Sequence, residues 1–297
     1  MRLDKTRAGI VAAYAAMCAI WGTTWLGIKV ALKFVPPLTG VGLRFVVAGL
    51  FLYAMVAVSG GALRQAQGDT REPFPWKLVL VLAAFLFGLN YVLTYTAETR
   101  LDSGLVAVLF GTLPFFVFAF AHFMANERTT PRIWVGAAVA FLGVAAISLG
   151  GQVRGSPLFA LAAIGASIVS SYANVYAKIH SHHDPMKTLP PAMLISGVVI
   201  GAIGLATEPV SWSQVFAWPS IAATLYLGIL GSSVAFFLNL WLLQRIEAWV
   251  VGLSALIIPV IAVIVGIALG GEQFSWRELL GSTLVIAGIW IALGDRG

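Results

Sequence analysis

The sequence predicts an all-α protein whose helices cross a membrane ten times. Of its 297 residues, 60% are hydrophobic and only 10% are charged, and the mean hydropathy is +0.93. Soluble domains carry about 25% charged residues, so this composition excludes one. The apolar segments are continuous runs, whereas the strands of a membrane β-barrel alternate apolar and polar residues over about ten positions. The spans are therefore predicted to be helices.

Ten apolar runs approach the roughly 20 residues that a membrane-spanning helix needs. We place them at residues 9–31, 39–58, 76–97, 103–124, 132–150, 156–177, 189–207, 220–243, 248–269 and 276–294. The first run is too long for the apolar part of a cleaved signal peptide, so we expect it to be retained as a span. The single cysteine, Cys18, excludes a disulfide within the chain.

The basic residues predict the orientation of these spans. With the N-terminus in the cytoplasm, 12 of the 18 Lys and Arg residues fall at cytoplasmic ends and loops and 6 fall on the other side. Loops rich in Lys and Arg stay in the cytoplasm. Both termini are therefore predicted to be cytoplasmic. Because the basic residues flank apolar runs and form no patch, we expect no nucleic-acid partner.

The chain also contains an internal repeat at an offset of 145 residues. This offset aligns prolines, loop charges and glycines, namely Arg100 with Arg245, Pro114 with Pro259, Glu127 with Glu272, Gly136 with Gly281 and Gly143 with Gly288. The predicted halves, 1–150 and 151–297, then hold five spans each. Because five is odd, the second half must be inverted in the membrane. Inverted repeats with a site near the bilayer midplane are typical of secondary transporters.

These features resemble the EamA-type branch of the drug/metabolite transporter superfamily. The likeness rests on Leu113-Pro114 with Asn126-Glu127, on Ile258-Pro259 with Gly271-Glu272, and on Trp21-Gly22-Thr23-Thr24-Trp25. Within this branch, the chain is most similar to the YddG-type exporters of aromatic amino acids. The resemblance implies a multi-pass transporter in the plasma membrane, which is the inner membrane of a bacterium.

The first span offers an aromatic and cationic face. Trp21, Trp25 and Lys29 are spaced by four residues, which puts them on one side of a helix. On such a face, the lysine ammonium can bind the carboxylate of a ligand, and the indole rings can bind its ring or its ammonium group. Alternatively, Lys29 extends to the membrane surface and the two tryptophans are packing residues.

The repeat extends this candidate site to other spans, because it aligns Ser170 with Trp25 and Asn174 with Lys29. The repeat also relates the predicted spans 76–97 and 220–243, whose equivalent faces should point toward the axis between the two halves. The proposed lining therefore also comprises Asn90, Tyr91, Thr94, Tyr95, Phe236 and Asn239. Small polar residues also serve as contacts between helices in membranes, so a packing role stays open for Ser170 and Asn174.

Several other features have competing interpretations. Pro114 and Pro259 lie inside predicted spans, where a proline kinks a helix and provides either a hinge or a static bend. Glu98 lies at the end of its span, where we expect it to be solvated. The paired glutamates Glu127 and Glu272 are predicted to be structural loop residues.

The segment His180-Ser181-His182-His183-Asp184 holds donors that suit Zn²⁺, although a solvated loop explains it as well. We therefore assign no metal ligands. The sequence contains no GxSxG, HExxH or phosphate-binding loop motif, which argues against an enzyme, and no cofactor is expected.

Together these observations predict a secondary transporter that exports small neutral metabolites, with amino acids, including aromatic ones, as the favoured substrates. The expected partners are that small-molecule substrate and the lipid bilayer, and the sequence does not indicate an oligomeric state. The alternatives are a metal-handling carrier that uses the histidine loop, or an EamA-type transporter of another drug or metabolite.

Overall fold

The computed structural model describes residues 5–58, 73–101, 103–148, 157–270 and 276–294, and these residues contain helices and no strand. The helices are α1 (Lys5–Ala31), α2 (Pro37–Val58), α3 (Trp76–Glu98), α4 (Ser103–Phe110), α5 (Leu113–Ala125), α6 (Pro131–Ser148), α7 (Pro157–Ile179), α8 (Pro185–Thr207), α9 (Trp212–Val215), α10 (Trp218–Leu243), α11 (Ala248–Gly252), α12 (Ser254–Gly270) and α13 (Trp276–Leu293).

The length and composition of these helices fit a protein that crosses a membrane many times. Seven helices of the described part are long and apolar enough to span a bilayer. Three shorter apolar helices, Pro131–Ala146, Ala248–Ile261 and Leu279–Leu293, fall on the other three predicted runs. The all-helical prediction is confirmed, while the count of ten crossings and the orientation of the termini stay predictions.

Prolines begin many of these helices, including α2, α6, α7 and α8. A proline is tolerated at this position because the first N–H groups of a helix have no partner within it. At the start of α8 the Asp184 carboxylate also accepts a hydrogen bond from the Met186 amide at 2.9 Å. The loop before α8 is thereby fixed to the helix.

Two helices contain a π-helical segment, at Leu82–Leu89 in α3 and Ile229–Val234 in α10. Adding the repeat offset of 145 to the first segment gives 227–234, so the two segments occupy equivalent positions. A π-helical turn bonds each amide to the carbonyl five residues earlier, which disturbs the regular ladder and often occurs at functional sites. The sequence did not predict these segments.

Two further spans are interrupted. A turn at residues 111–112 separates α4 from α5, and a turn at Leu253 separates α11 from α12. Pro114 lies in the first turn of α5, directly after the interruption and within the apolar segment Val108–Ala125. Pro259 does lie inside a helix, α12.

Glycines bring two pairs of helices into backbone contact, α2 with α8 and α6 with α13. A Cβ atom on Gly42 would lie 2.3 Å from the Gly201 Cα, and one on Gly136 would lie 2.5 Å from the Gly288 carbonyl oxygen. In each pair, one helix belongs to the first predicted half and the other to the second. Small residues permit this close approach in membranes.

We expect Gly42→Ala to lower the free energy of unfolding by about 1–3 kcal/mol, the usual effect of overpacking a tight contact. Gly201→Ala is the matched control, because its Cβ would lie an ordinary 3.4 Å from the Gly42 Cα. Thermal unfolding in detergent, followed by a dye that reacts with the buried Cys18 thiol, measures both variants. Equal melting temperatures for the two variants would contradict the prediction.

Candidate functional site

A central cavity of about 110 Å³ lies between helices of both predicted halves. It is lined by residues of α1, α2, α3, α4, α5, α7, α10, α11 and α12. Both helix breaks border it, through Phe110 and Leu113 on one side and Gly252 and Ser254 on the other. The most irregular parts of the backbone therefore adjoin the cavity.

One part of the cavity wall is aromatic. The rings of Trp21 and Phe236 meet edge to face at 5.3 Å, and Tyr91 lies 6.3 Å from Phe236. Trp25 and Phe110 form a second edge-to-face pair at 6.4 Å. The Trp21 indole N–H also donates a hydrogen bond of 3.3 Å to the Gly231 carbonyl, which lies in the π-helical segment of α10. This bond fixes the orientation of the indole.

Another part of the wall carries amides and hydroxyls. The Asn239 amide donates to the Asn174 side-chain oxygen at 2.7 Å, and Asn174 donates to the Ser170 carbonyl at 2.9 Å. On α3, the Thr94 hydroxyl bonds to the Asn90 side chain at 3.4 Å. These groups are held by neighbours on their own or an adjacent helix, so they line the cavity in fixed positions.

Nine of the eleven binding residues expected from the sequence line this cavity: Trp21, Trp25, Asn90, Tyr91, Thr94, Ser170, Asn174, Phe236 and Asn239. Pro259 also lines the cavity, and Pro114 is adjacent in sequence to the lining residue Leu113. Several lining residues are repeat equivalents of one another, such as Tyr91 with Phe236 and Thr94 with Asn239. The structure thus brings together residues that the sequence related only through the offset.

Lys29 and Tyr95 are the two expected binding residues that do not line this cavity. Eight residues along a helix with 3.6 residues per turn rotate a side chain by about 80°, so Lys29 turns away from Trp21. Its side chain is exposed. Tyr95 is fully buried, with its ring near Gly40 of α2, and its hydroxyl interacts electrostatically with Arg44.

Arg44 is a cavity residue that the sequence analysis did not assign to the site. Only 1% of its surface is exposed, although it lies inside the apolar helix α2. Its Nε donates to the Ser232 hydroxyl at 2.8 Å, and its Nη2 donates to the Gly231 carbonyl at 3.1 Å and to the Tyr91 hydroxyl at 3.3 Å. A lone arginine within a span is a functional signal in itself, because charge is costly in a bilayer.

The sequence pattern of the EamA-like transporter family matches residues 7–149 and, a second time, residues 157–294. The two matches together cover nearly the whole chain. The chain belongs to the EamA-like transporter family. Members of this family are membrane transporters and not enzymes, which confirms the expected absence of catalysis.

Relatives of this EamA-like chain span nearly its whole length. It is 27% identical to the uncharacterized inner membrane transporter YedA of Escherichia coli K12, over 94% of this chain and 89% of that protein. It is 26% identical to the uncharacterized transporter YoaV of Bacillus subtilis, over 97% and 96%. It is also 26% identical to a probable amino-acid metabolite efflux pump of Salmonella typhimurium, over 92% and 90%. None of these names specifies YddG-type selectivity.

A solved crystal structure shares the fold of this EamA-like chain. It superposes with a TM-score of 0.80 and covers 96% of each chain, at 20% sequence identity. At that identity, the likeness concerns the fold alone.

The histidine segment of the EamA-like chain does not gather metal ligands. His180 stacks on Tyr176 at 4.3 Å, and the Asp184 carboxylate is engaged at the start of α8. Among the described residues, no three His, Cys, Asp or Glu side chains are close enough to hold a metal ion.

Glu127, in the loop after α5, contacts the start of α11. Its two carboxylate oxygens accept hydrogen bonds from the backbone amides of Ala248 at 2.9 Å and Trp249 at 3.4 Å. Burial raises the pKa of this carboxyl above its ordinary value, which the two amides and Lys178 partly offset. Glu127 thus caps a helix of the other predicted half. Its repeat equivalent, Glu272, lies outside the described residues.

Proposed function

We propose that this EamA-like transporter exports small neutral metabolites, with amino acids, including aromatic ones, as the favoured substrates. The observation that carries the proposal is the composition of the cavity wall. Aromatic rings stand on one side of it, fixed amides and hydroxyls stand on another, and a buried arginine supplies one positive charge. A zwitterion with an apolar side chain matches all three features.

The rings supply the apolar part of this recognition. Edge-to-face aromatic pairs add about 0.5–1.5 kcal/mol beyond the burial of their area. The pairs around Trp21, Trp25 and Phe236 offer such partners to a substrate ring. The amides of Asn174 and Asn239 are polar partners for an amino group. The name of the Salmonella relative, a probable amino-acid metabolite efflux pump, supports the same substrate class.

We further propose that transport proceeds by alternating access between two inverted halves, 1–150 and 151–297, in the bacterial inner membrane with both termini in the cytoplasm. The equivalent π-helical segments and the equivalent lining residues support this proposal. The interrupted helices beside the cavity, with Pro114 and Pro259 close to the breaks, provide candidate hinges. Discontinuous helices of this kind line the substrate sites of many secondary transporters.

The cavity disfavours phosphorylated substrates. Recognition of a phosphate uses clusters of Arg and Lys, and Arg44 is the one basic residue among the described lining residues. A sugar phosphate is therefore a suitable negative substrate in a transport assay.

Uptake into proteoliposomes tests this proposal directly. The purified protein is expected to carry labelled phenylalanine and threonine well above protein-free liposomes, and to leave a labelled sugar phosphate outside. Phenylalanine uptake should survive in Lys29→Ala, because Lys29 lies outside the cavity. No flux of any amino acid would refute the proposal and favour an EamA-type transporter of another drug or metabolite.

A further inference from the structure

Among the described residues, no acidic side chain forms a hydrogen bond with Arg44. Its hydrogen bonds go to a hydroxyl and a carbonyl on α10 and to a phenol on α3, and it also interacts with the Tyr95 hydroxyl. Glu98 is the acidic group that interacts with it, and it does so without a hydrogen bond. A cation without a hydrogen-bonded acidic partner is costly inside a membrane protein, and such residues often mark a pathway for substrate or ions.

One nitrogen of the guanidinium is left unused. Nη1 is buried and has no hydrogen-bond partner, while Nε and Nη2 are both engaged. A buried donor without a partner costs about 1–3 kcal/mol. Because Arg44 lines the cavity, a group that enters the cavity can satisfy this donor.

The surroundings hold the guanidinium in one orientation. The Tyr91 ring lies 4.7 Å and the Phe45 ring 5.7 Å from the guanidinium carbon. The π-helical segment of α10 presents the Gly231 carbonyl, which accepts from both Arg44 and Trp21. The arginine is thereby fixed to the same carbonyl as the aromatic wall.

We propose that Arg44 binds the carboxylate of the substrate and that Nη1 is its main donor. This assignment rests on the proposed function and adds a requirement to it: a substrate must carry a carboxylate. A charged carboxylate provides the missing hydrogen-bond acceptor and places a negative charge in direct contact with the guanidinium, and bonds of this kind are about twice as strong as neutral ones. The substrate ring then faces Trp21 and Phe236.

The experiment compares competitors of labelled phenylalanine uptake in proteoliposomes. Phenylalaninamide keeps the ring and the amino group of phenylalanine and lacks the carboxylate. We expect unlabelled phenylalanine to compete at least about tenfold better than phenylalaninamide in the wild type, a factor that corresponds to about 1.4 kcal/mol. In Arg44→Gln this ratio should fall to near one, and Trp290→Ala, at a residue that is 73% exposed, is expected to keep it.

The outcomes separate this assignment from the proposed function. Equal competition by the two compounds in the wild type would overturn the role of Arg44 while leaving amino-acid transport intact. This comparison uses the wild-type protein alone, so it does not depend on the folding of a variant. An unchanged ratio in Arg44→Gln would also overturn it. A wild type that carries no amino acid would refute the proposed function and this assignment with it.

A second inference rests on a different observation, an asymmetry between repeat-equivalent lysines. Lys178, in the last turn of α7, donates hydrogen bonds of 2.8 Å to the carbonyls of Leu243 and Ile246 at the end of α10. Its equivalent at the offset of 145 is Lys33, and the equivalent carbonyls belong to Glu98 and Leu101. Lys33 is exposed, and no side-chain hydrogen bond is found for it among the described residues.

Glu127 reinforces the contact made by Lys178, since it holds the start of α11 to the loop after α5. Two polar contacts therefore join helix ends beside Ala248, a residue that lines the cavity. At the repeat-equivalent helix ends, the lysine contact is not formed. We infer that Lys178 and Glu127 form a latch that closes one face of the transporter, and that Lys33 forms the equivalent latch when the other face closes.

Thiol accessibility tests this latch in nanodiscs, where both faces meet the solvent. In a Cys18→Ala background, Ala248→Cys reports on the latched end and Ile28→Cys on the opposite end, since both positions line the cavity. We expect Lys178→Met to raise labelling at 248 about fivefold or more and to lower it at 28, because coupling energies of 1–3 kcal/mol shift equilibria about 5–150-fold. Lys33→Met should not raise labelling at either position.

The reciprocal change distinguishes a latch from a merely structural contact. Loosening of the helix ends alone would raise labelling at 248 without lowering it at 28, which would overturn the inference. Unchanged labelling at both positions in Lys178→Met would overturn it too.

Discussion

Phenylalanine flux is expected to fall about tenfold or more in Ala255→Phe. A loss of about 1.4 kcal/mol in the free energy of substrate binding already lowers the affinity tenfold. Ala255 lines the cavity and is buried, and its repeat equivalent is Phe110. A phenyl ring at residue 255 would project into the space that we assign to the substrate.

The control for this variant is Ala19→Phe, which adds the same ring at an exposed position of α1. Its flux should match that of the wild type. If Ala255→Phe is folded, as judged by its melting temperature, and transports phenylalanine at the wild-type rate, then the substrate does not pass through this cavity.

Trp21→Ala is expected to raise the KM for phenylalanine about tenfold while changing the KM for threonine much less. The change removes the ring that meets Phe236 at 5.3 Å and the N–H that bonds to the Gly231 carbonyl. A lost aromatic pair accounts for about 0.5–1.5 kcal/mol. Concentration-dependent uptake of each amino acid measures the two KM values.

Trp21→Phe separates the ring from the hydrogen bond, because it keeps a ring and removes the indole N–H. We expect its KM for phenylalanine to lie between those of the wild type and Trp21→Ala. A KM that rises equally for phenylalanine and threonine in Trp21→Ala would show that the indole shapes the cavity without recognising the substrate ring.

The helices and most of the cavity lining could be predicted from the sequence. Apolar runs of about 20 residues specify spans regardless of their packing. The offset of 145 related faces on different helices, so it identified Tyr91 with Phe236 and Thr94 with Asn239 before any distance was known. These pairs line the same cavity in the structure.

Arg44 was missed because the repeat gives it no polar equivalent. The offset aligns it with Leu189, a buried apolar residue of α8. Its role depends on the π-helical segment that presents Gly231, and nothing in the sequence of Ile229–Val234 distinguishes such a segment from a regular helix. A lone arginine inside α2, without an acidic residue in that helix, is the signal that the sequence did contain.

Lys29 lies outside the cavity for a geometric reason. A spacing of four residues keeps neighbours on one face, but each step rotates the side chain by about 40°, and two steps accumulate. Glu98 was expected to be solvated, yet both its carboxylate oxygens are buried without a hydrogen-bond partner. The neighbouring helices determine which side chains at the end of a span are buried, and a single sequence does not specify these contacts.

The most direct test of the central claim is a counterflow measurement in proteoliposomes loaded with unlabelled phenylalanine. A carrier that alternates around one cavity exposes it to each side in turn, so internal substrate should accelerate the entry of labelled phenylalanine and produce a transient overshoot. Empty vesicles with the same protein should show slower entry and no overshoot. Entry of label at the same rate with and without internal phenylalanine would contradict alternating access through this cavity.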